Sequence, residues 1–161
     1  MNIMRVPAIY LETTIFNFPF AEDAPHFQSE TKQLFAEIKE GKFKPYTSEY
    51  VIQELEITKD TEKLKKMKSL ILEHNVTVLQ ASEEIKYLAD VYIKAGIIPE
   101  KFSTDALHIA ATTIAGLDYI ISLNFKHIVK HKTIIETEIV NAREGFKRVF
   151  IHTPAEVINH D

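Results

Sequence analysis

Short apolar runs alternate along this chain with stretches whose apolar residues recur at helical spacing, and that alternation limits the fold more than any other feature. Ala8-Ile9-Tyr10-Leu11, Val76 to Leu79, Tyr119 to Ser122 and Val149-Phe-Ile151 are short and rich in β-branched or aromatic residues, as buried strands are. Phe43 to Thr47 reads as a further strand, and Pro45 marks it as a strand start or an edge. Between these runs, Thr31, Leu34, Phe35 and Ile38 share one helical face, and Gly41 stops that helix. Ser48 suits the N-cap of a helix carrying Val51, Ile52 and Leu55, and Asp60 suits the N-cap of one carrying Leu64, Met67 and Ile71. Ser82 opens a helix with Ile85, Leu88, Ala89 and Tyr92 on one face, closed by Gly96. Further helices are expected from about Thr104 to Ala115, with Leu107, Ala110, Ala111 and Ile114 inward, and from Lys132 to Ala142, ending near Gly145. Pro154 precedes a short final one. Strands separated by helices require crossovers, so the expected architecture is α/β: three layers, with a mainly parallel central sheet flanked by helices, Rossmann-like in plan. Near-continuous apolar strands fit a sheet covered on both faces.

The 161 residues suit one domain spanning 1–161, long enough to bury a core unaided. There is no cysteine, which excludes disulfides, thiolate catalysis, zinc ribbons and iron–sulfur clusters. A net charge of −4 means that any nucleic-acid contact must come from a local basic patch. No apolar run approaches the roughly 20 residues that span a bilayer, and the first ten residues lack the apolar core of a signal peptide. The chain therefore reads as a soluble, cytoplasmic protein without a membrane partner.

In open parallel sheets, ligands bind beyond the carboxyl ends of the strands, which directs attention to the acids placed there. Glu12 directly follows the first strand; it is either a helix-start acid helped by the helix dipole or a carboxylate at the crest of the sheet. Glu54 borders the buried stripe of its helix, with Glu49 and Glu56 competing beside it. Asp105 opens a helix for which Ser103 and Thr104 already offer capping oxygens, which leaves it free for another task. Asn124 follows the fourth strand and is either a turn residue or an amide that meets water or metal. His108, one turn after Asp105, either packs or orients that acid, and packing is the expectation. Converging carboxylates repel one another unless a cation joins them, and hard divalent cations prefer oxygen ligands. Such ions activate water and relieve charge on a phosphodiester. Lys126, His127, Lys130, His131 and Lys132 form a basic strip beside this edge that suits a nucleic-acid backbone. Lys63, Lys65, Lys66 and Lys68 form a second basic face, read as a solvated surface.

Four segments carry these residues: Tyr10-Leu-Glu-Thr-Thr14, Thr47-Ser-Glu-Tyr-Val-Ile-Gln-Glu-Leu55, Thr104-Asp-Ala-Leu-His-Ile-Ala-Ala111 and Asp118-Tyr-Ile-Ile-Ser-Leu-Asn-Phe-Lys-His-Ile128. In order and spacing, over almost the whole chain, they resemble the PIN-domain family of metal-dependent nucleases, which includes many toxins of type II toxin–antitoxin pairs. The resemblance implies a PIN-like sheet, Mg²⁺ or Mn²⁺ as cofactor, RNA as substrate, a cognate antitoxin protein as partner and a homodimer. It places Glu12, Glu54 and Asp105 at the metal-binding acids, Thr14 at the hydroxyl that supports the first acid, and Asn124 at a fourth, variable position. Thr14, Lys126 and His127 are then expected to line the substrate side, with Lys126 and His127 meeting phosphate. Two departures stand out: the first acid is glutamate where the family usually has aspartate, and Asn124 is uncharged. They motivate an alternative, a PIN-like module that has lost catalysis and binds RNA or protein. A receiver-type phosphotransfer domain is the weaker rival, because that chemistry wants a reactive aspartate where this chain has Glu12.

Overall fold

The computed structural model describes residues 5–160. Five strands form one all-parallel sheet: β1 (Ala8–Leu11), β2 (Lys44–Ser48), β3 (Thr77–Leu79), β4 (Tyr119–Ile121) and β5 (Phe150–His152). Their spatial order is β3-β2-β1-β4-β5. The chain builds outward from β1 through β2 to β3, then returns to the other side of β1 for β4 and β5. The switch of direction falls between β1 and β4, where the loops leaving two neighbouring strands diverge and open a crevice.

Among the described residues, seven α-helices make the crossovers, α1 (Thr13–Asn17), α2 (Pro25–Lys39), α3 (Glu49–Leu55), α4 (Thr61–Glu73), α5 (Glu83–Lys94), α6 (Ser103–Ile114) and α7 (His131–Arg143), and α8 (Pro154–Val157) follows β5. Short 3₁₀ turns at Phe18–Phe20 and Glu100–Phe102 lead into α2 and α6. Three of the anticipated caps form. Ser48 accepts from the Tyr50 amide, Asp60 from those of Glu62 and Lys63, and Ser82 from that of Ile85. Gly41, at φ +85°, terminates α2 in the left-handed region, where a side chain would strain the backbone. Asn75 does the same after α4 at φ +51°, asparagine being the residue after glycine that tolerates this best.

Three sequence expectations need correction. Of the two alternatives for Pro45, the edge fails and the strand start holds: it is the second residue of an interior strand, and its missing N–H is tolerated because β2 pairs with β1 from Lys44 onward while pairing with β3 begins only at Tyr46. Neither Ser103 nor Thr104 caps α6, whose N-cap is Phe102 without a side-chain bond. Leu107 and Ile114 are only half-buried, because α6 buries a wider face than one stripe: Ala106, His108, Ile109, Ala110, Ala111, Thr112 and Thr113 are all inside. Helix α1 and both 3₁₀ turns lie outside what the sequence periodicity anticipates.

The core consists of Ile9, Tyr10, Leu11, Ile120, Ile121 and Ile151 from the strands, with Leu34, Val51, Leu88, Ile109 and Ala110 packed on them from the helices. Among the described residues, no helix is long and apolar enough to cross a membrane.

Candidate functional site

Glu12 ends β1 at the switch point. Its amide donates to the Ile121 carbonyl at 3.1 Å, tying the exit of β1 to the end of β4. The side chain folds back as the N-cap of α1, and Oε1 accepts from the Thr14 amide (3.2 Å), the Thr14 hydroxyl (2.6 Å) and the Ser122 hydroxyl (2.7 Å). The helix-cap role and the crest position weighed as alternatives are both realised. Thr14 is fully engaged, since its Oγ1 also accepts from the Leu123 amide at 2.9 Å. It supports the first acid, and because its hydroxyl is spent on Glu12 and Leu123 it is not held out to a substrate as expected.

Glu54 reaches the same place from α3, whose entry is set by Ser48 at the end of β2. Its Oε1 accepts from the Thr13 hydroxyl at 2.5 Å and faces Nε2 of His108 at 2.6 Å. Its rivals do not converge there: Glu56 is exposed and pairs with Lys68 at 3.4 Å, and Glu49 is the half-buried first residue of α3.

His108 departs most from expectation. It is fully buried and does more than pack: Nε2 meets Glu54, and Nδ1 lies 2.7 Å from the Tyr10 hydroxyl, which continues to the Ser48 hydroxyl at 2.6 Å. The acid it holds is Glu54 from another helix, not Asp105 on its own. Carboxylate oxygens of Glu12 and Glu54 and a ring nitrogen of His108 all lie within 4.8 Å of one another.

These neighbours push the ionisable groups apart. Burial raises the Glu12 carboxyl above the ordinary range, and His108, Thr14 and Ser122 offset this only in part. Burial also works against the Glu54 anion, but the His108 and Thr13 contacts outweigh it and hold that carboxyl below the usual range. Burial pushes the His108 imidazole down; the Glu54 hydrogen bond and the charges of Glu12, Glu54 and Asp105 reverse that and raise it. Burial likewise drives the Tyr10 phenol well up, so it stays a neutral relay.

Asp105 stands in the first turn of α6, one turn before His108 and outside the trio. Its Oδ2 faces Nδ1 of His127 at 2.8 Å. His127 is thereby buried, its ring 4.0 Å from that of Phe102, and not displayed to solvent as the phosphate expectation had it. Asn124 takes its turn role: Oδ1 accepts from the His127 amide at 3.0 Å, and its carbonyl accepts from Ile128 and Val129. Lys126 is exposed, with Nζ 5.2 Å from the centre of the Phe102 ring, which also packs against His127. Lys132, at the far end of the strip, donates to the Gly96 carbonyl.

Sequence reasoning missed four contributors: Tyr10, Ser48, Thr13 and Ser122. A signal existed for two of them. Ser48 ends β2 and Ser122 directly follows β4, where a buried hydroxyl demands a partner. Tyr10 gave none, because a tyrosine within a strand reads as core.

Both acids at the switch point use one oxygen for the scaffold. The hydrogen bonds of each carboxylate converge on Oε1, and among the described residues Oε2 of Glu12 and of Glu54 has no hydrogen-bonding partner. A pair of oriented carboxylates with one oxygen each in hand, beside an imidazole, is a donor set that suits a hard divalent cation.

A scan of protein-family models finds no match to this chain, and a search of curated proteins finds none either. Among solved structures, the chain is similar to the crystal structure of VapBC2 from Rickettsia felis bound to a DNA fragment from their promoter. The TM-score is 0.55 at 11% identity, over 91% of this chain and 98% of that one. At this identity the likeness establishes a shared fold.

Proposed function

We propose that this protein is a metal-dependent ribonuclease of PIN type that hydrolyses RNA phosphodiesters, in the manner expected of the toxin of a type II toxin–antitoxin pair. The observation that carries the reading is the pair Glu12 and Glu54, brought from two crossovers to the switch point of the sheet, each held through one oxygen with the other open. The shared fold with a VapBC2 complex supports it and makes an antitoxin protein the expected partner. Glu12 and Glu54 would hold Mg²⁺ or Mn²⁺, with Asp105 completing the acidic face from α6. The ion supplies a nucleophile at neutral pH and neutralises charge on the phosphoryl oxygens. Thr14 and Ser122 orient Glu12, and Thr13 and His108 orient Glu54. His127 steers Asp105, Asn124 shapes the turn that presents His127, and Lys126 at the rim meets substrate phosphate.

One observation favours the second reading, a module that binds RNA or protein without cutting. A His108 ring nitrogen lies within 4.8 Å of oxygens of both carboxylates, whose charges favour its protonated form, and that form would supply positive charge where a metal would otherwise supply it. Incubation with single-stranded RNA, with and without Mn²⁺ or Mg²⁺, beside Asp105→Asn and Glu54→Gln, tests both. Cutting that needs the ion and is lost in both variants establishes the nuclease. Cutting that ignores both substitutions overturns this site and points to a contaminant or a different one; absence of cutting by folded protein across several RNAs overturns the nuclease and leaves the binding module.

A further inference from the structure

At the opposite end of the sheet, where parallel α/β proteins do not usually bind ligands, an open cleft of about 490 Å³ is lined by Arg5, Asp118, Tyr119, Lys147, Arg148 and Phe150. Three cations face it. Asp118 answers two of them, its Oδ1 accepting from Arg5 at 2.5 Å and Lys147 at 3.2 Å. Glu138 on α7 answers Arg148 at 3.3 Å, so one positive charge is left over in a molecule whose net charge is −4.

The aromatic groups here are arranged, not scattered. Tyr119 and Phe150 are paired neighbours on β4 and β5, their rings meeting edge to face at 6.3 Å. They lie on the sheet face opposite Tyr10, whose partner is Ile120. The Arg148 guanidinium sits over the Phe150 ring at 4.4 Å, and Phe150 keeps 40% of its surface exposed. His152 stacks parallel to Phe150 at 6.2 Å, further along the edge strand. The Ser122 amide bonds the His152 carbonyl, and the Ser122 hydroxyl bonds Glu12. A strip of rings therefore climbs the edge of the sheet from a basic cleft towards the carboxylates. Exposed rings and guanidinium planes beside cations are the means by which proteins hold single-stranded nucleic acid: bases stack, phosphates pair.

We propose that this cleft is a second nucleotide subsite, which takes the phosphate of single-stranded RNA against Arg5 and Lys147 and a base against the Arg148–Phe150 stack. The proposal rests on the reading of this chain as an RNA-acting protein, not on its cutting RNA. It assigns to the substrate strand a path along β5, from the amino ends of the strands towards the acids at their carboxyl ends.

The test is fluorescence anisotropy of a labelled single-stranded RNA 12-mer with the intact protein in EDTA, which removes catalysis from the measurement. Arg148→Gln and Phe150→Ser are expected to weaken binding about tenfold, the loss of one stacked base. Lys147→Gln is expected to flatten the dependence of log K on log salt by about 0.7, the loss of one phosphate contact on a single strand. Lys65→Gln, on the exposed face of α4, removes the same charge and is expected to change nothing. If Phe150→Ser fails to fold, the two exposed basic positions still decide. Unchanged binding in Arg148→Gln and Lys147→Gln, or an equal loss in Lys65→Gln, overturns the subsite. Displacement of the 12-mer by millimolar AMP shows that a free nucleotide fills the site; resistance to AMP alongside weakened variants shows that the strand is needed. If no RNA is cut in Mn²⁺ yet binding follows Arg148 and Phe150, the nuclease reading fails and the subsite stands. If RNA is cut but binding ignores them, the reverse holds.

Discussion

Glu12 shows how a buried carboxylate can work against the stability of its own fold. It is buried, and burial raises its carboxyl above the ordinary range. A raised folded-state value means that the native chain binds the proton more tightly than the unfolded one does. Stability therefore falls as pH rises from the unfolded towards the folded value, and above both the full penalty remains. Glu12→Gln removes that charge while keeping an oxygen for Thr14 and Ser122. The variant is expected to melt about 2–4 °C higher without metal at neutral pH, what ~1 kcal/mol is worth for a domain of this size, and to lose metal-dependent RNA cutting. A variant that melts lower would show that the anion is held by more than its hydrogen bonds. Asp118 carries the opposite sign. Burial opposes its anion, but the Ala8 amide, Arg5 and Lys147 outweigh this and hold its carboxyl low. Its contribution is present above the unfolded carboxylate value and is lost as pH falls through the lower folded one. Asp118→Asn is expected to be about 1 kcal/mol less stable than wild type at pH 7, with the gap closing below about pH 4. Urea titrations at the two pH values check this; a gap independent of pH would mean that the charge contributes nothing.

Helices α5, α6 and α7 meet around a buried hydrogen-bond knot. The Tyr92 hydroxyl donates to Asn141 Oδ1 at 2.5 Å and lies 3.1 Å from the Thr113 hydroxyl, to which Asn141 also donates. Tyr92→Phe leaves Asn141 without its donor in an apolar interior and is expected to lower stability by about 1–3 kcal/mol. Amide exchange should quicken in all three helices together; quickening in α5 alone would show that the knot does not couple them. The elements themselves were legible in the sequence because burial makes the central strands β1 and β4 continuous apolar runs, and because Ser48, Asp60 and Ser82 are capping residues in place. Helix α1 was not, since five residues carry too little periodicity and its start depends on the Glu12 carboxylate folding back. The site was legible in part. Position after a strand pointed to Glu12, and order and spacing pointed to Glu54, whereas Asp105, expected beside them, lies outside their cluster and faces His127. The relation of Glu54 to His108 stayed hidden, because a contact between residues 54 apart on two helices leaves no local trace. His127 misled for a related reason. A histidine in a basic run reads as surface until the fold turns it against Asp105 and Phe102.

At the scale of the molecule, the arrangement separates its tasks by direction along the strands. Acids gather at the carboxyl ends, and cations and exposed rings gather at the amino ends of β4 and β5. Because Glu12 and Glu54 come from the crossovers after β1 and β2, and Asp105 from the one before β4, an ion held between them would join segments far apart in sequence. Anything that binds the native state and not the unfolded chain stabilises it by RT ln(1 + [L]/Kd), about 2.7 kcal/mol at a hundredfold excess over Kd. For a domain of this size that is a rise in Tm of about 5–10 °C. Mn²⁺ is therefore expected to raise Tm in a concentration-dependent way, with the rise absent in Glu54→Gln and in Glu12→Gln although the latter starts from a higher baseline. Because no RNA is present, the readout is independent of turnover. A Tm unmoved by millimolar Mn²⁺ in the wild type would mean that His108 already neutralises the acids, and the chain would then be a binding module on a nuclease fold. A rise that survives both substitutions would place the ion elsewhere on the surface.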